Sequence, residues 1–157
     1  MTSDQTSTSR WLSILANLGV IGGIVLLVFE MGQTRDLMRA QTRHDLSASI
    51  VDLLLVIAEN PQLASVMRRG DEGEDLSPDE RYQYETRSRA LFRYWEDVHY
   101  QYREGLYDRV EFVSQRDAWS AYLNGSRGAA AAWCGMRGEF SPEFRAELDG
   151  VSSTHGC

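Results

Sequence analysis

The strongest constraint on this chain is an apolar run from Trp11 to Phe29, WLSILANLGVIGGIVLLVF, that contains no charged residue. Its only clearly polar members are Ser13 and Asn17. As an α-helix this run would be about 30 Å long, which matches the hydrocarbon core of a bilayer. The sequence therefore predicts a transmembrane helix over residues 11–31, with the lipid bilayer as its first partner.

The residues on either side of the run indicate a retained anchor. A secretory signal peptide needs small residues at a cleavage site after its apolar run. Here the run ends in Val28-Phe29-Glu30-Met31 instead. Residues 1–10 are mostly small and polar, and we predict that they form a disordered tail.

Arginines near the apolar run predict its orientation. Arg10 precedes the run, whereas Arg35, Arg39 and Arg43 follow it closely. Because basic residues are retained on the cytoplasmic side of inner membranes, we expect a single-pass protein with its amino terminus outside. The domain that follows the span is then cytoplasmic.

Small residues in the run offer a helix-packing face. Ala16, Gly19 and Gly23 recur at helical spacing, and Asn17 adds an amide. Small residues allow two membrane helices to approach closely, and an amide prefers a hydrogen-bond partner to lipid. The partner would be a second copy or the span of another membrane protein. Two simpler readings stay open: glycines are common in membrane helices, and Asn17 lies near the interface.

Charge and cysteine content exclude several classes of protein. The net charge of −7 comes from residues after Asp45, because the charges up to that point balance. An acidic soluble part argues against a nucleic-acid partner. Cys134 and Cys157 are too few for a disulfide framework. We predict that Cys134 is a small core residue.

Three X-Pro pairs predict where helices begin. Each pair places an N-cap residue before a proline at the favoured first helical position: Asn60-Pro61, Ser77-Pro78 and Ser141-Pro142. Glu80 completes a capping box with Ser77. Asp108 and Ser126 are further N-cap candidates. The predicted helices cover residues 61–69, 78–104, 109–123, the alanine-rich segment after Ser126, and 142–150.

No segment has the period-two pattern of a strand, so the predicted fold is all-α. One N-terminal transmembrane helix is followed by a small soluble helical bundle. A stalk helix over residues 32–59 continues into a bundle over residues 60–149, and residues 150–157 form a disordered tail. The acidic segment from Asp71 to Glu80 lacks the ligand pattern of an EF-hand and is expected to be a solvated loop.

The most aromatic helix presents Phe92, Trp95, His99 and Tyr102 at spacings of three and four residues. Such a stripe is typical of a bundle core. If it is exposed, it is instead a surface for a protein partner.

Glu96 and His99 form a Glu-x-x-His, the ligand spacing that di-iron bundles use twice. Only one copy is present, since His44 and His155 lie in no second such motif. No catalytic, cofactor-binding or metal-binding residue is therefore assigned, and we do not expect an enzyme. A small-ligand or metal-binding sensor or enzyme around Glu96 and His99 is the alternative.

Several segments together resemble an uncharacterised bacterial family of single-span, membrane-anchored helical proteins of unknown function. They are SILANLGVIGGIVLLVFEMGQTRDLMRAQ, ENPQLA, LSPDE, RYWEDVHYQYREGLYD and FSPEF, and they lie within residues 12–148. The resemblance implies an anchored all-α protein of the bacterial inner membrane and assigns no reaction, cofactor or catalytic residue. Where the family commonly has Ile-Arg-Gln after the span, this chain has Met31-Gly32-Gln33, which could loosen the helix there.

Taken together, the sequence predicts a non-enzymatic protein–protein interaction module. A specific form of this prediction is an accessory subunit of a larger membrane complex, of the respiratory or photosynthetic type.

Overall fold

The computed structural model describes the backbone of residues 4–152 and the side chains of residue 11 and residues 15–152. Within that range the chain is helical and has no strand, which confirms the all-α prediction. The helices are α1 (Asp4–Ala58), α2 (Pro61–Glu72), α3 (Pro78–Arg103), α4 (Arg109–Gly125), α5 (Arg127–Met136) and α6 (Pro142–Val151). A 3-10 turn, Arg137–Glu139, joins α5 to α6.

The chain divides into two compact units, one ending at Ala40 and one beginning at Gln41. In the described part of the first unit, the chain is the N-terminal portion of α1. Its large apolar side chains from Leu15 to Phe29 are 55 to 66% exposed. Of the described helices, α1 alone is long and apolar enough to cross a membrane.

Helix α1 begins earlier than the sequence predicted. It begins at Asp4, although residues 1–10 were expected to be a disordered tail, and it passes Gly32 without a break. Extending an existing helix adds a hydrogen bond for each residue fixed, whereas starting a new one is costly. The predicted span and stalk are consequently one helix.

Four of the five predicted N-cap residues make the expected capping bonds, and Ser141 does not. The Oγ of Ser77 accepts from the backbone N–H of Glu80 (3.4 Å), and a Glu80 carboxylate oxygen accepts from the Ser77 N–H (2.9 Å). Asn60, Asp108 and Ser126 each accept a backbone N–H through a side-chain oxygen. Local chemistry at these positions thus fixes where four helices begin.

Helix α2 ends later than expected, at Glu72 rather than at Arg69. The terminating residue is Gly73, whose φ of 74° is left-handed and whose N–H donates to the Gly70 carbonyl (2.9 Å). Gly70 serves packing instead of termination. The ring of Tyr84 lies within 2.3 Å of where a Cβ on Gly70 would be.

The second unit is organised around a buried aromatic cluster. The rings of Trp95 and Trp119 stack with centroids 5.4 Å apart, and Phe92 meets Trp133 edge to face at 5.3 Å. Edge-to-face and offset ring pairs add specific stabilisation to simple burial. Leu46 of α1 is also part of this core. Side chains from α1, α3, α4, α5 and α6 therefore share one interior.

A close backbone approach between α2 and α5 gives a test of this packing. A Cβ on Gly128 would lie 1.8 Å from the carbonyl oxygen of Gly70, while one on Gly135, on the same helix, meets no described atom within 4 Å. Replacement Gly128→Ala should cost about 1–3 kcal/mol of unfolding free energy because the helices must separate. Replacement Gly135→Ala should gain about 0.5–1 kcal/mol by restricting the unfolded chain. Urea unfolding of both purified variants in detergent checks this, and equal effects would contradict the packing.

Candidate functional site

The predicted helix-packing face lies open in the first unit. Ala16, Asn17, Gly19 and Gly23 are exposed. Around the positions that a Cβ would occupy on Gly19 and Gly23, there is no described atom within 4 Å. The backbone of α1 is therefore accessible at these glycines, and a second helix could approach it closely.

The aromatic stripe of α3 lies in the core of the second unit. Phe92 is fully buried, and Trp95 and His99 are only 5% and 6% exposed. Tyr102 is partly buried and stacks on Phe112 with a centroid distance of 4.0 Å. This face is occupied by the protein's own side chains, so it offers no exposed aromatic surface to a partner.

Glu96 holds α6 against α3. One carboxylate oxygen accepts from the Ser141 backbone N–H (2.8 Å), and the other from the Arg93 guanidinium (2.6 Å). Burial alone would raise the pKa of Glu96, but these hydrogen bonds outweigh it and hold the pKa below its ordinary value. The Ser141 side chain itself makes no capping hydrogen bond to α6.

His99 lies between two phenylalanines, with ring centroids 6.0 Å from Phe112 and 5.9 Å from Phe144. Burial lowers the pKa of His99, so the neutral ring is favoured. The charged groups that act on it are Glu147, Arg103, Glu143 and Glu96. Among described residues, no group of three or more His, Cys, Asp or Glu side chains could hold a metal ion.

Two open clefts flank α3. One, of about 560 Å³, is bordered by Glu96 and His99. The other, of about 540 Å³, lies between α3 and the small residues of α5, with Arg89 and Arg127 on its border. Both arginines have partners, since Arg89 pairs with Glu139 (2.8 Å) and Arg127 donates to the Glu72 carbonyl (2.7 Å). These two arginine side chains are therefore engaged within the protein.

A hydrogen-bonded node that the sequence did not reveal centres on Asp71. Its Oδ1 accepts from the hydroxyls of Tyr84 (2.9 Å), Tyr122 (2.7 Å) and Ser126 (3.0 Å). Burial, reinforced by this carboxylate, raises the pKa of both tyrosines. The prediction of a solvated loop beginning at Asp71 was wrong at this residue, which joins α2 to α3, α4 and the start of α5.

The interpretation of Cys134 as a small core residue was also wrong. Cys134 lies on the exposed side of α5 and is disulfide-bonded. Because the side chain is exposed, core packing does not explain a cysteine at this position, whereas disulfide formation does. Cys157 lies outside the described residues.

No protein-family model, curated protein or solved structure matches this chain. The resemblance to an anchored bacterial family consequently stays a prediction. The assignment of function depends on the geometry of the chain itself.

The buried His99 predicts a defined pH dependence of stability. Its pKa is lower in the folded protein than its ordinary value of 6.5, so the unfolded chain binds more protons as the pH falls. The stabilising contribution is present above about pH 6.5 and is lost as the pH falls toward the folded-state pKa. Replacement His99→Gln should flatten the loss of unfolding free energy between about pH 7 and pH 5.

Urea unfolding at several pH values measures this slope. The control is Val98→Ala, which removes a fully buried side chain from the same helix. It should lower stability by a similar amount at every pH and keep the slope of the parent protein. If the unfolding free energy of His99→Gln varied with pH as steeply as that of the parent protein, His99 would not be the source of the pH dependence.

Proposed function

We propose that the protein is a membrane-anchored, non-enzymatic interaction module whose first unit binds a partner helix within the bilayer. The observation that carries the proposal is the exposed apolar surface of α1. From Leu15 to Phe29 its large apolar side chains are more than half exposed. A contiguous apolar surface of this size is costly in water and is stable in lipid.

The packing face within the span supports a specific mode of binding. Lipid supplies no hydrophobic drive for helix association, so close backbone contact and polar groups must provide it. Ala16, Gly19 and Gly23 give the close contact, and Asn17 gives an amide that gains from a partner in the membrane. The partner is a second copy or another membrane protein.

The second unit supports an accessory role. In the Glu96 and His99 motif, the Glu96 carboxylate is already engaged, because it accepts hydrogen bonds from Arg93 and Ser141. This leaves the alternative, a ligand- or metal-binding sensor or enzyme at Glu96 and His99, without a favouring observation. We propose an accessory subunit of a larger bacterial inner-membrane complex, of the respiratory or photosynthetic type.

Substitution of the glycine face tests this function. The double replacement Gly19→Ile, Gly23→Ile fills the face and should abolish co-purification of the partner after gentle detergent extraction, because the helices can no longer approach. The matched control is Val28→Phe, which adds bulk about half a turn around the helix from Gly19. It should leave association unchanged. Unchanged association of the double variant, measured by sizing and mass spectrometry, would remove the span face from the function.

Orientation is the second testable part of the proposal. The arginines after the span support a cytoplasmic second unit with the amino terminus outside. An epitope tag at the carboxyl terminus should be digested by added protease in inverted membrane vesicles and protected in intact spheroplasts. The opposite pattern would reverse the orientation.

A further inference from the structure

One arginine of α3 differs from its neighbours on that helix. Arg89 pairs with Glu139 (2.8 Å) and Arg93 pairs with Glu96 (2.6 Å). Arg87 is partly buried, and its Nε–H is buried without a hydrogen-bond acceptor among the described residues. A charged group that is partly removed from water normally has a compensating partner. The missing partner of Arg87 therefore needs an explanation.

The neighbours of Arg87 along α3 supply no negative charge. Side chains three and four residues apart lie next to each other on a helix. For Arg87 these positions hold Gln83, Tyr84, Ala90 and Leu91. None of them is acidic, so the net negative charge of the second unit does not balance this guanidinium locally.

The group from another helix that acts on Arg87 is the hydroxyl of Tyr122 on α4. Burial and a hydrogen bond to Asp71 raise the pKa of Tyr122, so this hydroxyl is neutral near pH 7 and adds no charge. Burial lowers the pKa of Arg87, because the charged guanidinium has lost part of its hydration. Arginine nevertheless keeps its proton at neutral pH. Within the described residues, Arg87 is thus a desolvated positive charge without a negative partner.

The chemistry of a guanidinium identifies the ligand that would complete this arrangement. Arg87 is partly exposed, so a solute can reach it. The planar fork of N–H donors matches the oxygens of a phosphate or a carboxylate. A phosphate group carries about −1.5 to −2 charges near pH 7, more than a carboxylate does. Because attraction between charges is stronger where water is partly excluded, phosphate compensates this site more fully.

We propose that Arg87 anchors a binding site on the second unit for a small phosphate-bearing ligand. The guanidinium holds the phosphate oxygens and recovers the interactions that burial took from it. A soluble phosphate ester and the phosphate of a lipid headgroup share this chemistry. The site does not depend on the glycines of α1, so it goes beyond the proposed function and can fail without it.

Thermal unfolding of the full-length protein in an uncharged detergent tests the site. The probe is inorganic phosphate, compared with sodium chloride at equal ionic strength. Because a ligand of the folded state stabilises it, the Tm should rise by roughly 3–6 °C at about ten times the dissociation constant. Replacement Arg87→Met should abolish this rise. In chloride it should leave the Tm at or above that of the parent, because an unpaired charge has been removed.

The matched control is Arg109→Met, which removes an exposed arginine of α4. It should keep the phosphate-dependent rise. The second variant, Arg87→Lys, retains the charge but loses the fork of donors. It should need a several-fold higher phosphate concentration for half of the rise, and it keeps the test valid if Arg87→Met does not fold.

Four results would each overturn the site. They are equal Tm values in phosphate and chloride, a rise that survives in Arg87→Met, a parent-like phosphate requirement in Arg87→Lys, and a larger rise with acetate than with phosphate.

The source of the phosphate is then decided in lipid nanodiscs. A lipid headgroup at Arg87 would make the Tm of the parent insensitive to added phosphate there, whereas a site for a soluble phosphate ester would keep the rise. Either result supports the site once the detergent experiment has given the expected pattern.

Discussion

The exposed apolar surface of α1 is the constraint on which the rest of the molecule depends. Side chains such as Leu26 and Phe29 are about two-thirds exposed, and water cannot stabilise a surface of this kind. A bilayer would remove that cost for the first unit, whose helix is long and apolar enough to cross one. The same helix continues into the second unit, where Leu46 is part of the buried aromatic core. Helix α1 is therefore exposed to its surroundings in the first unit and packed against the protein's own core in the second.

The second unit is stabilised by two kinds of contact, which are aromatic packing and a cluster of hydrogen bonds. A domain of about a hundred residues buries a limited fraction of its surface, so large aromatic side chains such as Trp119 and Trp133 contribute much of the core. Asp71 adds a polar node that accepts three hydroxyl hydrogen bonds. A partly buried carboxylate of this kind is stabilised when its hydrogen-bond partners are in place. The hydrogen bonds of Asp71 thus connect α2 to α3, α4 and the start of α5.

Local chemistry explains what could be predicted from the sequence. The capping box of Ser77 and Glu80 is a contact over three residues, so the residue pattern alone reveals it. The partners of Asp71 lie 13, 51 and 55 residues away, and no short pattern encodes them. The packing role of Gly70 is also invisible in a local pattern, because the Tyr84 ring that it contacts comes from another helix.

The Glu96 and His99 motif shows why spacing alone is weak evidence for chemistry. Both residues lie on α3 at the separation that metal sites use. The Glu96 carboxylate, however, accepts hydrogen bonds from Arg93 and from Ser141 at the start of α6. His99 is enclosed by Phe112 and Phe144, and burial favours its neutral form. Structural demands therefore account for both side chains. No comparable contact within the described residues explains the exposed apolar side chains of α1, such as Leu26 and Phe29.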